Sequence, residues 1–244
     1  MIYVYDILLT MRKFLLLSLF LLLLAGQFAL ALTPQDYIDR LDQNFNKLKD
    51  GQADITLGIG LQLIGCGGLQ QQKGRLYFKA PDRFLIKLEH ETYFIKGNTI
   101  KKIDSAGKRS YVQLLYAPDF SHGYNAGVLP RNFYLKIIKE TSTEVLLEGI
   151  PKPGVLKNVT RVVCFIDPQE NLLTRIDLTL RQHLSGKITI KYQPVDGINV
   201  PVATYGKSAL ELGKGSLIGL IYDLNGSNLK INQHLPDSLF EAGF

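Results

Sequence analysis

Residues 73–104 read KGRLYFKAPDRFLIKLEHETYFIKGNTIKKID, and this stretch decides the fold class. Leu76 and Phe78 alternate with Tyr77 and Lys79. Beyond Ala80-Pro81-Asp82, Phe84, Ile86 and Leu88 alternate with Arg83, Lys87 and Glu89, and only Leu85 is out of phase. Alternation with period two sends one set of side chains to each face of a sheet. Pro81 has no amide to donate and holds its predecessor extended, which assigns it to a turn between strands. Gly97-Asn98, between FIK and TIKKID, is a two-residue hairpin signal. The stretch predicts an antiparallel meander with one apolar face and one basic face.

The pattern continues outward on both sides. In Ala53–Leu63, Ile55, Leu57, Ile59, Leu61 and Leu63 oppose Thr56, Gly58, Gly60 and Gln62, and two glycines in one strand predict a bulge or strong bend. Ahead of it, Thr33 is a helix cap, Pro34 suits the first helical position and Asp36 lies three residues past the cap. Tyr37, Ile38, Leu41, Phe45 and Leu48 then recur at spacings of three and four, predicting an amphipathic helix that Asp50-Gly51 ends. Such a helix lies across an open sheet.

Downstream, strand patterning recurs in Arg109–Leu115, Val145–Gly149, Val159–Ile166, Leu172–Leu180, Ile188–Tyr192, Ile198–Tyr205, Ser216–Leu224 and Asn228–Asn232. Turns separate two of these pairs, at Asp167–Asn171 and Pro194–Gly197. Tyr116–Arg131, with Pro118, Gly123, Gly127 and Pro130, is a long loop of the kind that forms lids, and Asn132–Lys139 fits either a strand or a helical turn. Regularly spaced strands behind one helix predict a mainly β chain with a few helices and one large antiparallel sheet. With so many strands the sheet curls or closes.

Arg12-Lys13, the apolar run FLLLSLFLLLLA and Ala29-Leu30-Ala31 are the basic flank, apolar core and A-x-A site of a secretory signal peptide. Residues 1–31 are therefore expected to be removed after Ala31. Met11 is the expected start, because MIYVYDILLT places an acidic residue ahead of the basic flank. Gly26-Gln27 interrupts the apolar run before the roughly 20 residues a spanning helix needs. Residues 32–244 then form a single domain, long enough to bury a core without staples. The whole chain carries +6 and its leader (Asp6, Arg12, Lys13) +1, which leaves +5 on the domain and a mild attraction for anionic surfaces. The cations form no run, which argues against a nucleic-acid footprint.

No catalytic set emerges. Ser105-Ala-Gly-Lys108 matches S-x-x-K, but in a turn and without partner motifs. Gly58, Gly60 and Gly65 lack the spacing and the following helix of a phosphate cradle. His90, His122, His183 and His234 have no metal-ligand spacing, so neither metal nor cofactor is expected. Cys66 and Cys164, the only cysteines, are a candidate disulfide in an exported chain, or else two free thiols. The chemistry lies in the apolar face, assigned to Leu57, Ile59, Leu61, Leu76, Phe78, Phe84, Ile86, Ile176 and Leu178. That face is either a core beneath the helix or a cavity for acyl chains. One helix is small cover for so large a sheet, which favours a ligand or a lid.

Gly74, Leu76, Phe78, Pro81, Phe84, Ile95, Gly97 and Asp104, the Asp196-Gly197…Pro201 hairpin and the closing INQHLPDSLF resemble the LolA/LolB family of periplasmic lipoprotein carriers. The resemblance implies a half-open barrel with helices in its mouth and no enzymatic activity. It also implies a monomeric periplasmic carrier of acylated lipoproteins or lipids between an inner-membrane donor and an outer-membrane acceptor. It stops at one position: the family's basic residue before the meander proline is Ala80 here. Arg83 is in a different phase, so the latch is not transferred to it and a passive binder is the implied form. The alternative on the same fold is a periplasmic sensor or interaction module that binds a protein at its sheet edge.

Overall fold

The computed structural model describes residues 32–63, 66–97, 99–113, 126–155, 159–181, 184–211 and 217–241. The leader and most of the long loop, residues 114–125, lie outside them. The described residues form one helix-led sheet of 13 antiparallel strands. Helix α1 (Pro34–Phe45) precedes a first meander made of β1 (Asp50–Leu63), β2 (Cys66–Lys79), β3 (Arg83–Leu88), β4 (Glu91–Lys96), β5 (Thr99–Asp104) and β6 (Arg109–Gln113). A short helix α2 (Val128–Asn132) opens the second, made of β7 (Phe133–Glu140), β8 (Val145–Pro151), β9 (Val159–Asp167), β10 (Leu172–Leu180), β11 (Leu184–Val195), β12 (Ile198–Glu211) and β13 (Leu217–Ile231). Helix α3 (Ser238–Glu241) closes the chain.

The topology is simple. The first meander runs outward from β1 to an edge at β6; the second starts at the opposite edge, β7, and returns to β13, which pairs with β1. The sheet is open, with β6 and β7 as its two edges. It also curls. Strands β3 and β11 stand five spacings apart, about 24 Å if flat, yet both contribute walls to one cavity of about 240 Å³.

The strands of the quoted stretch form as predicted, with β2 and β3 meeting through Lys79↔Arg83 and β4 and β5 through Lys96↔Thr99, where Gly97 takes φ +53°. The face expected to be basic is partly apolar, since Leu85 and Phe94 are buried on it. An additional turn at Glu89-His90 separates β3 from β4. Asp167 Oδ1 accepts the Gln169 and Glu170 amides in the β9–β10 turn, and Asp196 (φ +49°) with Gly197 (φ +74°) makes the β11–β12 turn.

Several boundaries differ from the sequence reading. Helix α1 stops at Phe45, and Asp50-Gly51 opens β1. Strand β2 begins at Cys66, since Gln70, Gln71 and Gln72 put polar residues on both faces and hide its period. Asn132–Lys139 resolves chiefly as strand β7, and the two segments expected at 216–232 are one strand, β13. Glycines 58 and 60 mark no bulge: the register shift of β1 lies between Gln52 and Asp54. Gly60 is needed for space, because a Cβ there would stand 2.2 Å from the Gly68 carbonyl oxygen.

Packing differs between the two halves. Helix α1 lies against β7 and β10 and buries Tyr37, Ile38 and Leu41. On the sheet face that Glu140 shares with Val145, the residues Leu147, Cys164 and Ile166 are almost fully buried. Tyr37 donates to Glu140 Oε1 (2.7 Å), and Asn44 Nδ2 donates to the carbonyls of Glu170 and Asn171 (3.0 and 2.9 Å), anchoring both ends of the helix. A register shift between Leu173 and Arg175 brings Leu173 opposite Ile166 and buries it. In the other half, the C-terminal tail covers the opposite face of the sheet. Phe240 packs with Leu85 and Phe94, supported by Tyr77, Ile103, Leu235 and Leu239.

The candidate disulfide is not formed. Cys164 is a free thiol, buried on β9, whose pKa burial pushes up to about 12. Cys66 opens β2, six places from β9 in the sheet. A bridge needs Cα atoms within about 7 Å, closer than non-adjacent strands come.

Candidate functional site

Cross-strand register assigns each strand residue to a face. Leu57 pairs with Leu224, Leu76 with Ile86, Phe78 with Phe84, and Ile176 with both Cys164 and Ile188. Following these pairs across the sheet, all nine residues assigned to the apolar face share one face, Leu61 through its backbone register to Leu220. Leu57, Leu76, Phe78, Phe84, Ile86, Ile176 and Leu178 are half-buried, while Ile59 is 50% exposed. Helix α1 therefore covers only part of this face, and an apolar trough stays open along β1–β3.

At one end the trough deepens into a cavity of about 240 Å³. Its floor is Ala53, Leu76, Phe78 and Phe84, and Phe45 and Leu48 enter from the end of α1. Leu48, Val200 and Ile231 form a buried cluster beside it, backed by Phe78 and Leu229. Three of the nine expected residues line the cavity: Leu76, Phe78 and Phe84. The other six lie on the same face but outside its lining. Ile190, Tyr192, Val200, Leu224, Leu229 and Ile231 complete the wall without having been anticipated. Ile188, Ile190 and Tyr192 do alternate with Lys187, Thr189 and Lys191, so the period was readable. What made them neighbours of Phe78 was the β1–β13 pairing.

Glycine shapes this face. A Cβ at Gly51 would lie 2.6 Å from the Phe78 ring, and one at Gly206 would lie 1.7 Å from Tyr222 Cε1, so both aromatic rings lie flat on glycine backbone. The rim is polar. Lys49, Lys79, Lys230, Gln52 and Asn46 border the cavity, and Lys49 and Lys230 are exposed.

Lys79 is committed to the C-terminal tail, donating to the Leu235 carbonyl (2.6 Å) and pairing with Asp237 (2.8 Å), which also meets Arg83 (2.9 Å). The Lys79 ammonium, with Arg83 behind it, holds the Asp237 carboxyl below the usual carboxylate range. The buried Asp50 carboxylate anchors the same tail, accepting the Gln233 amide (2.6 Å) and the Leu235 amide (3.1 Å). Asn232 adds a third tie, accepting the Lys49 amide at 2.9 Å. The tail lies outside the cavity lining but ties down Lys79 and Lys49, which border the cavity beside cis-linked Ala80-Pro81.

The opposite face of β7–β12 carries a wider, shallower groove of about 740 Å³, lined by Phe165 and Tyr205 among Arg161, Asp177, Lys187 and Lys207. Ser105 and Lys108 are exposed at the β5–β6 hairpin tip, where Asp104 Oδ1 accepts the Ala106 and Lys108 amides. Among the described residues no three His, Cys, Asp or Glu side chains converge as metal ligands, and no helix is long and apolar enough to cross a membrane.

No protein-family model matches the sequence, and no curated protein matches it. Solved structures do match the fold. A DUF1329 family protein from Desulfovibrio piger aligns with TM-score 0.65 at 16% identity, covering 84% of this chain and 95% of that one. An outer membrane lipoprotein-sorting protein domain from Vibrio parahaemolyticus aligns at 0.60 and 13%, covering 84% and 96%. A LolA superfamily protein from Nitrosomonas europaea aligns at 0.58 and 12%, covering 86% and 98%. At such identities the likeness is one of fold: the chain has the architecture of these LolA-superfamily and lipoprotein-sorting structures.

Proposed function

We propose that this chain is an exported, non-enzymatic carrier that binds the acyl chains of lipids or lipoproteins and moves them through the periplasm between the inner and outer membranes. The observation that carries the reading is the cavity of about 240 Å³ between α1 and the sheet, walled by Leu76, Phe78, Phe84 and Leu224 and continuous with an open trough. An apolar cavity of this kind gains roughly 0.8 kcal/mol for each methylene it takes from water. Lys49 and Lys230 at the rim suit an anionic headgroup. The lipoprotein-sorting name of one structural relative points the same way. Position 80 is alanine and Arg83 is already paired with Asp237, which supports passive binding without a latch at the meander proline.

Native mass spectrometry of residues 32–244, purified gently from a periplasmic extract, tests the proposal. An adduct of lipid or acyl-peptide mass that organic extraction removes is the expected result. A clean apo mass, unchanged after incubation with lipids and acylated peptides, would overturn it.

A further inference from the structure

We infer that the groove face of β7–β12, on the side of the sheet away from the cavity, docks on an anionic phospholipid surface. Exposed apolar side chains collect there. Of eight large hydrophobic residues exposed by more than a third among the described residues, four belong to this face: Tyr134, Ile138, Ile150 and Tyr205. Tyr134 and Ile150 sit directly opposite each other, and Ile138 and Tyr205 line the groove. Tyrosines beside aliphatic side chains suit the headgroup level of a bilayer, where one end of the ring is apolar and the other wet.

The charge pattern points to the same surface. Lys187 and Lys207 face each other directly across β11 and β12, an arrangement that opposes strand pairing. Both are exposed, and among the described residues neither forms an ion pair. Asp177, the acid opposite Lys187 on β10, is already held by Arg175 at 3.0 Å. Arg161 is taken by Glu148, and Arg175 also lies 3.4 Å over the Phe165 ring. The cations left available are lysines, compact point charges that suit a diffuse anionic surface better than a shaped phosphate or carboxylate. A second copy of this chain is disfavoured, because a two-fold contact would bury the unpaired lysines of both copies in one interface.

The inference is independent of the acyl-chain reading, since it uses no residue of the cavity wall. Sedimentation of residues 32–244 with phosphatidylcholine vesicles, with and without phosphatidylglycerol, tests it. Binding only to the anionic vesicles, weakening as salt rises, is expected. Each lysine near such a surface contributes roughly fivefold to the partition coefficient, so K187Q/K207Q should lower it by about 25-fold. An unchanged far-UV spectrum and melting point would show that this variant is folded, and unchanged native-mass adducts would show its cavity intact. Three results would overturn the inference: no binding by the parent chain, equal binding to neutral vesicles, or equal binding by the folded double variant. A dimer abolished by the same substitutions, with no vesicle binding, would give the face to a second copy instead.

Discussion

The cavity sets a limit on the length of chain it rewards. Its volume is about 240 Å³, and at about 30 Å³ for a water-sized group it has room for about eight methylenes. Each buried methylene contributes about 0.8 kcal/mol, close to a fourfold change in Kd. A ladder of saturated fatty acids, titrated calorimetrically into delipidated protein, should therefore tighten about fourfold per carbon over about the first eight carbons buried. Longer chains then run onto the trough past half-buried Leu57 and exposed Ile59, where the increment falls by more than half. Ala53 lines the cavity, and Ala53→Leu adds three carbons to its wall. The break should come about three carbons earlier in that variant, with stability changed by less than about 1.5 kcal/mol because the new side chain fills empty space. A flat series would refute the reasoning. So would an unbroken rise through the longest chains, or a break at the same length in both proteins.

Other predictions concern the frame around the cavity. Asp50→Ala removes the buried carboxylate that accepts the Gln233 and Leu235 amides; urea denaturation should show a loss of about 1–3 kcal/mol, and amide exchange should quicken along the tail. Gly206→Ala drives Tyr222 off the strand; a loss of about 1–3 kcal/mol is expected, partly recovered when Tyr222 is also replaced by alanine. Tyr37 is pushed up from 10.0 to about 12, by burial first and then by its bond to Glu140. The folded chain thus keeps a proton that the unfolded chain releases in this range. Stability should be full below pH 10 and fall as the pH rises toward 12, by roughly 1–3 kcal/mol. Alkaline unfolding of Tyr37→Phe should lack that slope.

Much of the fold was legible because its signals are local. Alternation in 73–104, 53–63 and 172–180 assigned side chains to faces, and register keeps all nine expected residues on one face. The Asp167–Asn171 and Asp196-Gly197 turns follow from residues that tolerate or brace those backbone conformations. The misreadings were also local in origin. The glutamines of β2 erased its period, and Gly58 and Gly60 suggested a bulge that β1 carries elsewhere, between Gln52 and Asp54, while Gly60 makes room for the Gly68 carbonyl. Asp50-Gly51 has the composition of a helix stop, but Asp50 is drawn into β1 by tail amides more than 180 residues away in the chain.

The amino-acid sequence by itself determined that the domain is a meandering antiparallel sheet with a continuous apolar face and one amphipathic helix. Those properties rest on periods of two and 3.6, which any short window displays. The tertiary structure alone decided that β13 closes against β1, that α1 covers the β7–β10 half, and that the tail lies on the reverse of β2–β5. From these followed a cavity bounded by Phe45, Phe78, Ile190 and Leu224. Its place could not be read in advance, because a cavity is the volume left between elements that meet only after the sheet has curled.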